Sequence, residues 1–381
     1  MALLVALLLQ DWPRWRGPDG AGVSAETRLP ERWTSKDNIA WSVVVPGEGA
    51  SSPVTRGGDV FLTSALENGA RRTLWCLDLR TGATRWSLET KDPDPERTSA
   101  LTGHAAPTPA ADAARVVAFF GNAGVVCAGP SGEALWRRPL GAFASELGIA
   151  SSPVLHGDLV LLVCDHDGAS FLAALDAKTG EIRWRTARPG LERSWSTPIL
   201  AAGELVVNAQ DELRGYDPAT GAALWRVTGM SGWVTPSPVF GKGMIFATSG
   251  KDGPTLAVRP GGATVWRIEK GGPYVCSPLL YGDLLYVVDE AGRLVARDAA
   301  TGAEVWRARL KGKFTASPVA GDGKVYLTSE EGRTFVLRAG RTFELLAENP
   351  LDEEVLASAA IARRSLLLRT RTRLYRVGAA D

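Results

Sequence analysis

The chain has 381 residues, 43 basic side chains against 42 acidic ones, three histidines and four cysteines. No block of like charge interrupts it, so the basic face or stripe that a phosphate backbone requires is not visible and nucleic acid is not expected as a partner. Cys76, Cys127, Cys164 and Cys276 are scattered through β-rich runs without C-x-x-C spacing. They read as small buried hydrophobes, with neither a disulfide framework nor a zinc site.

Residues 1–10 are uncharged and rich in Ala, Leu and Val. They fall far short of the roughly 20 apolar residues that span a bilayer, so no transmembrane segment is expected. They resemble the apolar core of a secretory signal, although the basic start and an A-x-A cleavage site are missing. Export to the periplasm or the exterior is expected, and with no Cys nearby a lipid anchor is not. Residues 11–38 form an irregular lead-in carrying Trp12, Trp15 and Trp33 beside arginines, which should pack against the body that follows.

From residue 39 to 378 the sequence repeats. A small residue precedes each of Pro53, Pro109, Pro153, Pro198, Pro238, Pro278 and Pro318, and an apolar run begins seven residues later. Trp86, Trp136, Trp184, Trp225, Trp266 and Trp306 recur in phase, most with a Gly four residues before. In the copy at 150–187, Leu159–Cys164 reads as a strand buried on both faces, Phe171–Leu175 as a third strand, and Asp176–Gly180 as a tight turn. Four antiparallel strands in about 40 residues make one propeller blade. Each Trp is expected to wedge between neighbouring blades.

The last copy supplies three strands, over 357–377, and Ile39–Val45 supplies the missing fourth, with Trp41 at the wedge position. The fold predicted is therefore all-β: a single eight-bladed propeller of four-stranded antiparallel blades, closed by an N-terminal strand in the last blade, which hides both sheet edges.

The run Leu172–Trp184, Leu-x-Ala-Leu-Asp-Ala-Lys-Thr-Gly-Glu-x-x-Trp, resembles the repeats of the pyrroloquinoline quinone (PQQ)-like β-propeller family. That family includes quinoprotein alcohol dehydrogenases and BamB-like factors of the outer-membrane β-barrel assembly machinery. The resemblance covers nearly the whole chain from residue 39. It implies tryptophan-docked blades, and it leaves function open, since enzymes and scaffolds share the motif.

Residues just before the repeat prolines should ring the channel mouth: Glu48, His104, Arg193, Trp195, Trp233, Tyr274, Lys313, Phe314 and Glu354. They are the candidate rim for a partner or small ligand. Ser87–Ala106, rich in Pro and charge, reads as an insertion on the same face. Catalytic motifs such as G-x-S-x-G, H-E-x-x-H and the P-loop are missing, and Asp165–Gly168 reads as a turn rather than a calcium loop.

The expectation is a non-catalytic, monomeric, exported scaffold that binds a protein partner, without catalytic residues, metal or cofactor. The alternative is a PQQ- and calcium-dependent quinoprotein or another enzyme with its site at the mouth. By resemblance that enzyme would stack the quinone between a Trp and two adjacent cysteines near an Asp base. No two cysteines here are adjacent. Trp195, Trp233 and Asp165 or Asp167 are the residues that could be pressed into such roles.

Overall fold

The computed structural model describes residues 10–378; the signal-like stretch, apart from Gln10, lies outside the described residues. Thirty-two strands form eight sheets of four. Each sheet is an antiparallel meander, and seven follow chain order. The eighth joins Ala360–Ala362, Ser365–Arg369 and Arg373–Val377 to Ile39–Val44, so the first strand of the chain completes the last blade. Two short 3₁₀ turns, Glu67–Gly69 and Gly121–Ala123, are the helical elements described, and among the described residues no helix is long and apolar enough to cross a membrane.

Two repeated devices join the blades. The first is the indole step. Trp136 Nε1 donates to the Ala177 carbonyl of the next blade at 3.0 Å, and Trp41, Trp86, Trp184, Trp266 and Trp306 make the same kind of bond at 2.9–3.1 Å. Gly180 explains the glycine before each Trp. It has φ of +73°, and a Cβ there would lie 2.5 Å from the Trp136 ring. A turn that needs a left-handed residue thus also leaves a flat seat for the neighbouring indole. A register shift interrupts the pairing of the third and fourth strands beside each Trp, as between Ala174 and Leu175, which twists the outer strand and re-aims the ring. Trp225 differs, donating to Glu204 Oε2 at 2.8 Å.

The second device explains why a small residue precedes each proline. Ser52, Thr108, Ser152, Thr197, Ser237, Ser277, Ser317 and Ser358 form a belt around the channel. The backbone N–H of each of the first seven donates to the hydroxyl of the next, at 2.8–3.0 Å. Prolines follow because these inner segments need no further amide donor. Each bond adds about 1 kcal/mol, but loss of one hydroxyl strands a buried amide.

The four cysteines are free and buried. Cys76 and Cys127 face Trp86 and Trp136 across the strand pair, where only a small side chain fits beneath an indole. The lead-in crosses the underside of the ring. Trp12 is fully buried, and its carbonyl accepts from Thr55 N–H in the first blade at 2.7 Å. Arg16 donates to the Pro278 carbonyl at 2.8 Å, and Ser24 N–H to Ala320 at 2.8 Å. One segment thereby ties blades one, six and seven together.

Candidate functional site: the channel and its mouth

The channel holds a space of about 130 Å³. Trp15 of the lead-in contributes to its lining, the hydroxyl belt lines its waist, and Leu101, Thr102, Leu147, Trp195, Tyr274 and Leu356 line the opposite end.

The mouth is shaped by connections between blades. The first-blade outer strand runs Thr84–Lys91, so residues 87–91 are strand and the insertion begins at Asp92. That insertion is anchored by burial of charge. Arg72, almost fully enclosed, pairs with Asp92 at 2.8 Å and with Glu96 at 2.6 Å, and donates to the Phe120 carbonyl. His104 Nε2 lies 3.0 Å from the Glu96 carbonyl, and Thr102 donates to the Leu147 carbonyl. The insertion is thus tied to the ring at Asp92, Glu96 and Thr102, and to itself through His104.

Beside it, residues 193–195 pair with Val234. Trp195 N–H donates to the Val234 carbonyl at 2.8 Å and Val234 N–H to Arg193 at 3.1 Å. This pairing sets Trp195 against Trp233, centroids 5.7 Å apart and planes 21° apart. Trp195 Nε1 donates to the Gly148 carbonyl at 2.8 Å, fixing the stack. The Arg193 guanidinium lies 4.8 Å from the Trp233 centroid, and Lys251 Nζ lies 4.8 Å from the rings of both Trp233 and Tyr274. Such cation–aromatic contacts hold charge over apolar surface. Burial, and then Glu290, raise the Tyr274 phenol above its ordinary value.

These elements wall a cleft of about 730 Å³. Trp195, Trp233 and Phe143 give it apolar surface, Arg97 and Arg193 positive charge, and Asp94, Glu146, Asp167 and Glu192 negative charge.

The expected rim residues fall into three groups. Arg193, Trp195, Trp233 and Tyr274 come together. His104 is half-buried within the insertion, where its ring meets the Glu96 carbonyl. Lys313 and Glu354 are exposed elsewhere on this face, where Glu354 shares Arg371 with Glu48 at 2.9 and 3.3 Å. Phe314 departs from the expectation: it is fully buried, packed 6.0 Å from Phe335 between blades six and seven. A residue four places before a repeat proline can turn inward, and this phenyl does. Lys251 was missed because it lies in a loop between second and third strands, away from the repeat prolines. That loop reaches the same face, which was the available signal.

The residues of the mouth do not fit a calcium-bound quinone held as the resemblance implies. Trp195 and Trp233 stack on each other, leaving no slot for a planar ring between them. The cysteines lie apart, in the cores of blades one, two and three and at the inner start of blade six, and burial raises all four thiols, Cys127 to about 12. Asp165 is fully buried and clamped by Arg188 at 2.7 and 2.8 Å, with Arg188 also donating to the Tyr216 hydroxyl. It is a structural counter-ion and not a free base. Among the described residues no group of three His, Cys, Asp or Glu side chains could hold a metal.

A family model described as "Outer membrane protein assembly factor BamB" matches residues 32–187, 169–259 and 251–342. The BamB of Yersinia pestis is 28% identical over 194 residues, 49% of this chain and 45% of that protein, so the match spans less than half of the curated relative. The crystal structure of BamB from Moraxella catarrhalis superposes with a TM-score of 0.68 at 14% identity, over 90% of this chain and 97% of that one. Quinohemoprotein alcohol dehydrogenase from Comamonas testosteroni superposes with a TM-score of 0.75 at 14% identity, over 97% of this chain and 81% of that one. At such identity both structures speak for the fold alone. The family match rests on repeats that run through most of the ring, and by it the chain belongs to the PQQ-like β-propeller family of the outer-membrane assembly factor BamB.

Proposed function

We propose that this protein is a non-catalytic, exported propeller that binds a protein partner through the cleft at its channel mouth. The observation that carries the reading is the cleft itself: two stacked indoles, flanked by Arg193 and Lys251, between walls of both charge signs. Aromatic and Arg anchors in a preformed groove are the usual centres of protein recognition. The pinned insertion and paired loop segments add to this, because a rigid cleft loses little ordering entropy on binding.

In this reading residues 39–378 are the ring, tied by docked tryptophans, and residues 11–38 are a strap beneath it. The protein acts as a monomer in the envelope, and its partner is a component of the outer-membrane barrel-assembly machinery. An extended segment with one apolar anchor and alternating charge would suit the cleft.

The test compares the wild-type protein with a Trp195→Ala, Trp233→Ala double variant. Binding to the isolated barrel-assembly protein should fall at least about tenfold. Undiminished binding would refute the assignment of the cleft. Titration with PQQ and Ca²⁺, read by tryptophan fluorescence and alcohol-dependent dye reduction, addresses the enzyme alternative; saturable quenching with turnover would replace the scaffold reading.

A further inference from the structure

Among the described residues five arginine side chains are almost wholly enclosed, and four of them are answered. Arg72 meets Asp92 and Glu96, Arg188 meets Asp165, Arg16 donates through its Nη atoms to the carbonyls of Pro278, Ala21 and Pro318, and Arg376 donates to the Ser365 hydroxyl. Arg369, at the end of the second strand of blade eight, is different. It is 1% exposed. Its Nη1 donates to the carbonyl and hydroxyl of Ser51 in blade one, at 3.0 and 2.5 Å. Its Nε and Nη2 have no partner.

Those two nitrogens form the side-on edge of the guanidinium, the edge that receives two oxygens of one carboxylate or oxyanion. Burial alone pushes the guanidinium down to about 9, with no carboxylate offsetting it. A buried charge without a counter-charge is costly, and the two acids nearby are engaged elsewhere, Glu48 and Glu354 both pairing with Arg371.

Arg369 also faces space. It lines a cavity of about 50 Å³ between blades eight and one, together with Glu48, Gly49, Thr102, Glu354, Thr370 and Arg371. The cavity is bordered by the far end of the 92–109 connection and is separate from the cleft at the stacked indoles. A Cβ on Gly49 would stand 2.8 Å from Nη2, so only a glycine at this position leaves that nitrogen uncrowded. We propose that this cavity binds a small carboxylate or other oxyanion, held side-on by Nε and Nη2 of Arg369 and supported by Thr370 and Arg371.

The test is thermal unfolding of the full chain in sodium acetate, sodium sulfate or sodium chloride at matched ionic strength. Acetate or sulfate should raise Tm saturably above the chloride control, by about 2 °C at a tenfold excess over Kd. Acetate alone would mark a carboxylate site, and sulfate alone a site for tetrahedral oxyanions. Arg369→Gln keeps a donor for Ser51 and should abolish the rise. Gly49→Ala keeps the charge but blocks Nη2, and should abolish it too, which preserves the test if the first variant does not fold. A rise retained in either folded variant, or no rise above chloride in the wild type, overturns the proposal.

Discussion

Blades four to seven and blades one to three use the same repeat, yet only the second group strays from its period. Pro198, Pro238, Pro278 and Pro318 stand 40 residues apart, whereas 56, 44 and 45 residues separate Pro53, Pro109, Pro153 and Pro198. Most of the surplus lies over one face, in the connections 92–109 and 139–153 and in the 165–170 loop of blade three. These connections wall the cleft, and the buried ion pairs Arg72–Asp92–Glu96 and Arg188–Asp165 secure them. Periodic sequence builds a ring whose blades are interchangeable, and departures from the period build the surface that distinguishes this ring from others. The two kinds of region should therefore respond differently to substitution.

The largest effect is expected where the aperiodic half is anchored. Arg72→Ala leaves two carboxylates buried without their cation, and should destabilise the protein by about 3–5 kcal/mol in urea unfolding. It should also open residues 92–106 to proteolysis while the regular blades stay protected. Uniform protection would erase the distinction between the two regions.

Within the periodic framework, Trp136→Ala removes a buried indole from its seat on Gly180 and should cost about 3 kcal/mol, without local proteolytic sensitivity at the mouth. Ser237→Ala takes the acceptor from the Thr197 amide and should cost about 1–2 kcal/mol. A neutral result there would mean that the belt lines the channel without holding it.

The smallest effect concerns pH. Arg183, and then the Thr179 and Lys178 amides, hold the Asp176 carboxyl down at about 2. Asp78, Asp217 and Asp298, in the equivalent turns, are also depressed, by Arg85, by the Ala219 amide and by Arg341 respectively. A carboxylate depressed on folding contributes stability that is complete above its ordinary value near 4 and lost as pH falls towards its folded value. Melting curves from pH 5 to pH 2 should show Asp176→Asn losing less stability on acidification than the wild type. Parallel curves would deny the turns this role.

The ring was legible in the sequence because its constraints repeat. A Gly that must both turn the chain and seat an indole recurs at one offset from Trp, and the strand lengths follow from runs such as Leu159–Cys164. Even the closure by Ile39–Val44 could be deduced, since one blade lacked a strand. The cleft was half legible. Trp195 and Trp233 precede repeat prolines and could be placed, but their stacking depends on Val234 pairing across blades, which no local pattern announces. Phe314 stands four residues before Pro318, between their offsets of three and five, and still turns into the core. Arg369 was invisible for a related reason: a lone Arg ending a strand reads as a solvated charge until Ser51 and Gly49 of another blade close around it.

The most direct test of the claim that the aperiodic face is the working surface is site-specific photocrosslinking of the full chain in bacterial cells. A photoreactive residue at position 233 in the cleft is compared with one at position 156, in a first-to-second strand turn on the underside. The account predicts a discrete adduct with a barrel-assembly component from 233 and none from 156. The same adduct from 156, with none from 233, would contradict it.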